Sequence, residues 1–564
     1  MAFTAYGFLR WITPVDATKA AAEIDVTRVA LTVVAGVGGV VALVIAYRRQ
    51  RDLEQSRFVE RFGAAAAQLG ATDVAVRIAG VYAMAGVADE SDGLRRQQCI
   101  DVMCGYLRLP YHPELGANHQ SKLVLKHHQA TADGTRADDQ ERHLEYRHND
   151  REVRATIIRV IADHLRATAE YSWRTNDFDF RTAHLEDVDF SRVEFSGFAR
   201  FGGATFSGPA GFGGATFSGP AGFGGATFSG PAGFGGATFA GLAWFGDATF
   251  SDTAWFSDAT FASPAEFGDA TFSGPASFSD ATFTGHAEFG GATFSDTARF
   301  GAATFFGPAW FSDATFSDTA EFDAATFSGP AKFGAATFSG PAGFGAATFS
   351  DTAEFGAATF SDTAGFDAAT FSGSAGFGAA TFSGPAGFGA ATFSDTAGFD
   401  AATFSGSARF GAATFSGSAG FGAATFADTA DFGAVTFSGS AWFGDATFSD
   451  TAWFRGATFA GLAWFGNATF SDTAWFGGAT FSGSTLFGGA TFADTAEFGG
   501  ASFFGKTSFA SVSFGREVVS FVGPERWGPP APVFDWDHDI SQKPANVEPQ
   551  DWPPTVATPP PSTV

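Results

Sequence analysis

Cysteine is nearly missing from this chain. Two cysteines in 564 residues leave no disulfide framework and no thiolate metal cluster. Basic residues are few as well, 33 Lys and Arg against 59 Asp and Glu, for a formal charge of −26. Phosphate binding needs Lys and Arg, so this balance speaks against nucleic acid as a direct partner. The 72 Gly and 23 Pro stay below the ~25–30% that marks a disordered chain. Nowhere do a nucleophile, a base and an orienting acid recur at a catalytic spacing, so no enzyme, cofactor or resident metal is expected. What is abundant is phenylalanine: 71 residues, enough to bury a large core.

One long apolar run is present. Val29–Tyr47 is a 19-residue stretch without a charge. At 1.5 Å per residue it spans about 28 Å, close to the ~30 Å hydrocarbon core of a bilayer. It lies too far from the N-terminus for an ordinary signal segment, and no small-residue cleavage site follows it. Arg48, Arg49, Arg51, Arg57 and Arg61 flank it on one side, against Arg10, Lys19 and Arg28 on the other. The excess predicts a single-pass membrane protein with its C-terminal side in the cytoplasm. A buried core helix is the competing reading. Ala35 and Gly39, or Gly38 and Ala42, form a small-residue face that would allow homo-oligomers.

A helical region follows, over 48–172. Val74, Ile78, Val81, Tyr82 and Ala85 share one helical face, and so do Ile100, Met103, Cys104 and Leu107. Val153, Ile157, Ile161 and Leu165 repeat the pattern after a plausible cap at Asn149 or Asp150. These elements predict a small helical bundle. Cys99 and Cys104 point about 140° apart on a helix and read as free core cysteines. His112, His119, His127, His128, His143 and His148 fall in a polar stretch, 111–150, that reads as a solvated linker because their spacing fits no metal.

From Phe201 onward the chain is periodic. FGGATFSGPAG occupies Phe201–Gly211 and its pattern returns every 11 residues, with Phe at 201 through 509 and again at 206 through 514. That makes 29 units and 58 Phe with no insertion or deletion. A helix is excluded by its chemistry, since each interior Gly costs ~1 kcal/mol and each Pro ~3. Short strands fit: in Ala204-Thr205-Phe206, Ala and Phe go to one side and Thr to the other. Three-residue strands cannot stand alone, so each unit must stack on its neighbours.

An inward small residue, a variable residue, an inward large apolar residue and two corner residues form a pattern that resembles the pentapeptide repeat proteins. Phe180, Leu185, Phe190 and Phe195 keep the strict five-residue spacing, with Ala183, Val188 and Val193 at the preceding small position. The resemblance implies a mainly β fold, a right-handed quadrilateral β-helix. This chain departs from the family in using Phe for Leu and in giving every second unit a sixth residue. Four faces then take 22 residues per coil, with the extra residue at corners such as Ser207-Gly208-Pro209. The expected organisation is an N-terminal segment (1–28), a transmembrane helix (29–47), the helical region (48–172), the β-helix (173–519), a C-terminal cap (520–543) and a Pro-rich disordered tail (544–564).

Function has to lie on the outward residues. The position before the first Phe of each unit is Trp at 244, 255, 310, 442, 453, 464 and 475. With a 22-residue coil, Trp442 stacks with Trp464 on one face and Trp453 with Trp475 on the opposite one. Exposed Trp marks a protein-binding surface, and the competing reading is a cross-strand ladder that only stabilises the sheet. Residues 201–514 also carry 25 Asp or Glu against 5 Lys or Arg. Some members of the family imitate DNA and inhibit a topoisomerase, so the resemblance adds acidic mimicry of a nucleic acid as the alternative. His286 stands in a slot that elsewhere holds Pro, Thr or Ser, near Glu266 and Glu288. The file of Thr from 205 onward suits strands and also suits a flat ligand surface.

Overall fold

The structure, a computed structural model, describes residues 20–111, 122–127, 140–145 and 150–557, with isolated positions at 3–4, 7–8, 11 and 113. The chain forms two compact units, residues 1–99 and residues 100–564.

The first unit is helical. Helix α1 (Ala20–Leu69) continues well past the charge-free run, and α2 (Val74–Asp89) packs against it. Asp73 caps α2, its carboxylate accepting from Ala75 N at 2.8 Å and Val76 N at 3.1 Å. Thr27–Leu69 is long and apolar enough to cross a membrane, and 18 consecutive residues within it reach a mean hydropathy of 2.6. Leu31, Val40, Leu43 and Ile45 within it are exposed. Helix α3 (Gly93–Leu107) straddles the two units.

In the second unit, strands β1 (Lys122–His127) and β2 (Gln140–Glu145) pair antiparallel, Lys122 opposite Glu145 and His127 opposite Gln140. This corrects the linker reading of 111–150. LVL within Lys122–His127 is a short β-prone run whose pairing partner is more than a dozen residues away, and polarity alone hides it. The side chains of all six histidines of this stretch lie outside the described residues. Helix α4 (Asp150–Leu165) buries Val153, Ile157, Ile161 and Leu165 completely.

The solenoid follows from about residue 178. Each coil contributes two-residue strands to four parallel ladders. The first face runs from Phe178–Asp179 to Thr507–Ser508 in 16 strands. The second runs from His184–Leu185 to Thr491–Phe492 in 15, and the third from Val188–Asp189 to Val547–Glu548. The fourth runs from Glu194–Phe195 to Arg526–Trp527 in 16 strands. Thr216 pairs with Thr238 and Ala221 with Ala243, which is the 22-residue coil. The entry coil is one residue shorter, since Phe178 pairs with Ala199 and His184 with Thr205.

The two corners differ as five-residue and six-residue steps require. After the first Phe the chain makes a β-turn: Ala204 N donates to Phe201 O at 2.9 Å, and Gly203 takes φ +63°. Positive φ at the third turn position is the type II signature. Asp247, Asp258, Asp269 and Asn467 fill that position in other coils, and Ala fills it at 302 and from 324 to 434. The other corner, with the additional residue, stacks so tightly that a Cβ at Gly439 would lie 2.2 Å from Gly417 O. Inside, every Phe of the 201–509 and 206–514 files is buried. Phe223 and Phe245 are parallel at 4.7 Å, while Phe223 and Phe234 meet edge to face at 5.4 Å. Both geometries suit the ring quadrupole.

The ends are closed. Helix α4 packs on Val188–Asp189 at the first coil, and Arg166 bridges to Val193. At the other end the chain does not fall into a disordered tail at 544. Val547–Glu548 extends the third face, pairing with Val519–Ser520. Trp552 packs edge-on at 4.9 Å to Phe534 and 5.9 Å to Phe521, which covers the last rings. Proline content suggested disorder there, and the packing of Trp552 against Phe534 and Phe521 outweighs it. Residues 558–564 lie outside the described part.

Candidate interaction surfaces

All seven candidate tryptophans point outward, as alternation in an Ala-Trp-Phe strand dictates. Trp244, Trp310, Trp442 and Trp464 lie on the first face, and Trp255, Trp453 and Trp475 on the third, opposite side. Trp453 and Trp475 stack at 5.4 Å with a 6° interplanar angle, and Trp442 and Trp464 meet at 4.9 Å and 61°. Trp244 is 53% exposed and Trp255 48%. The three sites are therefore not equivalent. Trp244 and Trp255 stand apart, Trp310 joins a charged strip, and the last four form two pairs back to back.

In that strip, His286 Nε2 lies 3.1 Å from Glu288 Oε2 and its ring meets Trp310 edge-on at 4.3 Å. Lys332 Nζ sits 5.5 Å from the centre of Trp310. Glu266 is in register with Glu288 on the next strand. His286, Glu288, Trp310 and Lys332 are each engaged by a neighbour, and the group brings no Ser, Thr or Cys nucleophile beside the imidazole. Among the described residues no group of three or more His, Cys, Asp or Glu is arranged to hold a metal ion.

The acidic residues take defined places. Asp428, Asp450, Asp472 and Asp494 occupy one corner file on successive coils, each accepting from the following Thr N at 2.5–2.6 Å. One oxygen thus ties down the corner and the charge remains at the surface. Cys99 and Cys104 are free and buried, and burial pushes their thiols up to about 11 and about 12.

Where the helices meet the first coil, a buried cation organises the chain. Arg154 donates to Tyr106 O at 3.3 Å, to Leu107 O, and to His184 O at 2.9 Å. Burial lowers its pKa, while Asp150 at 3.8 Å opposes the shift. Asp179 is held down to about 2 by hydrogen bonds from Arg181, with Arg108 adding its charge.

Several exposed residues escape a reading based on the Trp position alone. Phe198, Leu242, Phe306 and Leu486 are exposed apolar side chains of the solenoid. Their sequence signal is a departure from the repeat, as in Ala240-Gly241-Leu242 where the three preceding units have Ser-Gly-Pro.

Four stacked ladders, a Phe-filled interior and unbroken in-register pairing define a four-sided β-solenoid. The family model described as pentapeptide repeats (9 copies) matches residues 212–260, 248–293, 322–370, 399–447 and 443–491. The solenoid of this chain is thus built of pentapeptide repeats, with Phe in the large inward position. No curated protein and no solved structure shows a significant match to the chain.

Proposed function

We propose that the protein is a non-enzymatic scaffold tethered to the membrane through Val29–Tyr47. The solenoid projects on the cytoplasmic side and docks a protein partner. The observation that carries this is the back-to-back arrangement of Trp442 with Trp464 and Trp453 with Trp475. Two aromatic pairs on opposite faces at the same height of the rod give a partner two apolar anchors, and Trp is the residue richest in binding energy at interfaces. The excess of Arg after the apolar run supports the orientation.

The test compares the intact protein, purified from native membranes, with a variant carrying Trp442, Trp453, Trp464 and Trp475 all changed to Ala. Outward positions tolerate Gly in other coils, so far-UV circular dichroism is expected to be unchanged. A partner held by the intact protein and lost by the variant supports docking. An identical set of proteins from both refutes it. The Asp file at 428, 450, 472 and 494 favours a second reading, acidic mimicry of a nucleic acid toward a DNA-handling enzyme. Binding by mimicry would fall steeply with salt and survive loss of the Trp pairs.

A further inference from the structure

The first coils carry an open trough of about 740 Å³ on the first face. Its floor is Gly222, whose Cβ position meets nothing within 4 Å. In register, Arg200 lies on the strand before it and Trp244 on the strand after. Strands stack at ~4.8 Å, so the backbones that carry these two side chains lie about 10 Å apart across Gly222. The indole of Trp244 folds over the turn glycines, its Cε2 3.1 Å from the Cβ position of Gly224. Phe198 and Leu242 wall the opposite corner. The guanidinium of Arg200 sits 4.3 Å from the centre of the Phe198 ring.

This trough is electrostatically unlike the rest of the rod. Residues 195–246 contain no acidic residue. Three arginines line its entry: Arg200, Arg181 and Arg108. Asp179 takes both Arg181 (2.9 Å) and Arg108, and Asp177 lies 3.5 Å from Arg200. Three guanidiniums against two carboxylates leave a net positive charge beside an apolar slot.

We propose that the trough is a binding site for a free organic anion built on a flat apolar body, an aromatic carboxylate or sulfonate. The ring system lies on Gly222 between the Arg200 guanidinium and the Trp244 indole, both of which favour a planar π face. The acidic group turns toward Arg200, whose guanidinium holds Asp177 only at 3.5 Å, whereas the Arg181 fork is closed on both oxygens of Asp179. The site is separate from the Trp pairs at 442–475 and stands whether or not those dock a protein.

The test is equilibrium dialysis of 2-naphthoate against the full-length protein in lipid nanodiscs, with empty nanodiscs as the blank. Saturable binding of one equivalent is expected, and the neutral 2-naphthalenemethanol should bind about tenfold more weakly or worse. Gly222→Trp fills the slot, and Arg200→Glu reverses its charge. Both side chains already occur at equivalent outward positions, so both variants should fold, with Gly222→Trp melting as the parent does and Arg200→Glu slightly lower for the lost contact with Asp177. Each variant should lose about tenfold or more in affinity, while Arg409→Glu, the same charge change on the third face, should bind as the parent does. Absence of saturable binding above the blank, equal binding of the neutral analogue, or unchanged binding in Gly222→Trp and Arg200→Glu overturns the proposal.

Discussion

Replacing Phe355 by Ala removes a ring from the middle of the solenoid, and its environment sets the cost. Phe355 is parallel to Phe333 and Phe377 at 4.8 Å, and edge-on to Phe344 and Phe366 at 5.3 Å. Phe349 adds a fifth contact at 5.9 Å. A buried Phe→Ala change costs about 3–5 kcal/mol from transfer and cavity together. Aromatic pairs contribute about 0.5–1.5 kcal/mol each beyond area, which places this site at the upper end, near 5 kcal/mol. Phe355→Leu keeps most of the apolar volume and loses the ring pairs, so about 2 kcal/mol is expected. Where the cost appears matters more than its size. Each coil touches only the coils before and after it, so the damage should stay local. Native-state hydrogen exchange of the full chain reads this directly. Protection in Phe355→Ala should collapse over roughly two coils on either side and persist at both ends. An even loss of protection along the rod, or a cost below about 1 kcal/mol, would refute the reasoning from nearest-neighbour stacking.

Two further outcomes follow from the entry coil. Arg154 ties the end of α3 to the first coil through three carbonyls, so Arg154→Ala should cost about 3–5 kcal/mol. Arg154→Lys, which lacks the fork, should rescue little of it. Loss of amide protection at residues 104–111 and around His184 is the readout, and full protection in Arg154→Ala would discard this role. Asp179 has a folded pKa of about 2, below its ordinary value, so its contribution is present above about pH 4 and is lost as pH falls toward 2. Pepsin cleavage between Phe178 and Phe198, normalised to an unfolded substrate, should rise over that window in the parent. In Asp179→Asn it should already be high at pH 4, and a flat profile in the parent would contradict the assignment.

Translational symmetry made the solenoid legible. Once Phe201 and Phe206 repeat without a gap to Phe509 and Phe514, the coil length, the inward Phe and the outward Thr follow from alternation alone. The same symmetry places the Trp pairs on opposite faces. Features built from unlike parts were hidden. The trough needs Arg108 from the end of a helix, Arg200 and Trp244 from separate coils, and the emptiness of Gly222, which no local window holds together. The pairing of Lys122–His127 with Gln140–Glu145 was masked by the charge around it, and the ordered end at Trp552 by its prolines. Ala324 and its equivalents carry positive φ with no glycine to announce it, because the turn is imposed by the stacked coils on either side.

Those alanines give the rod a mechanical profile. A left-handed conformation costs an L-residue with a Cβ roughly 1–2 kcal/mol, and glycine is spared this. Thr182 and Arg192 hold the corner in the entry coil and Ser511 in the last, Gly, Asp or Asn hold most of the corners next to these, and alanine holds it without interruption from Ala324 to Ala434. The central coils therefore start from a higher conformational energy than the glycine-cornered coils on either side, although their cores are packed alike. Pulled along its axis between its first and last coils, the solenoid should yield at its middle before the glycine-cornered coils on either side. It would extend as two intact blocks joined by a lengthening strand, and the aromatic pairs at 442–475 and the basic trough would travel on separate blocks.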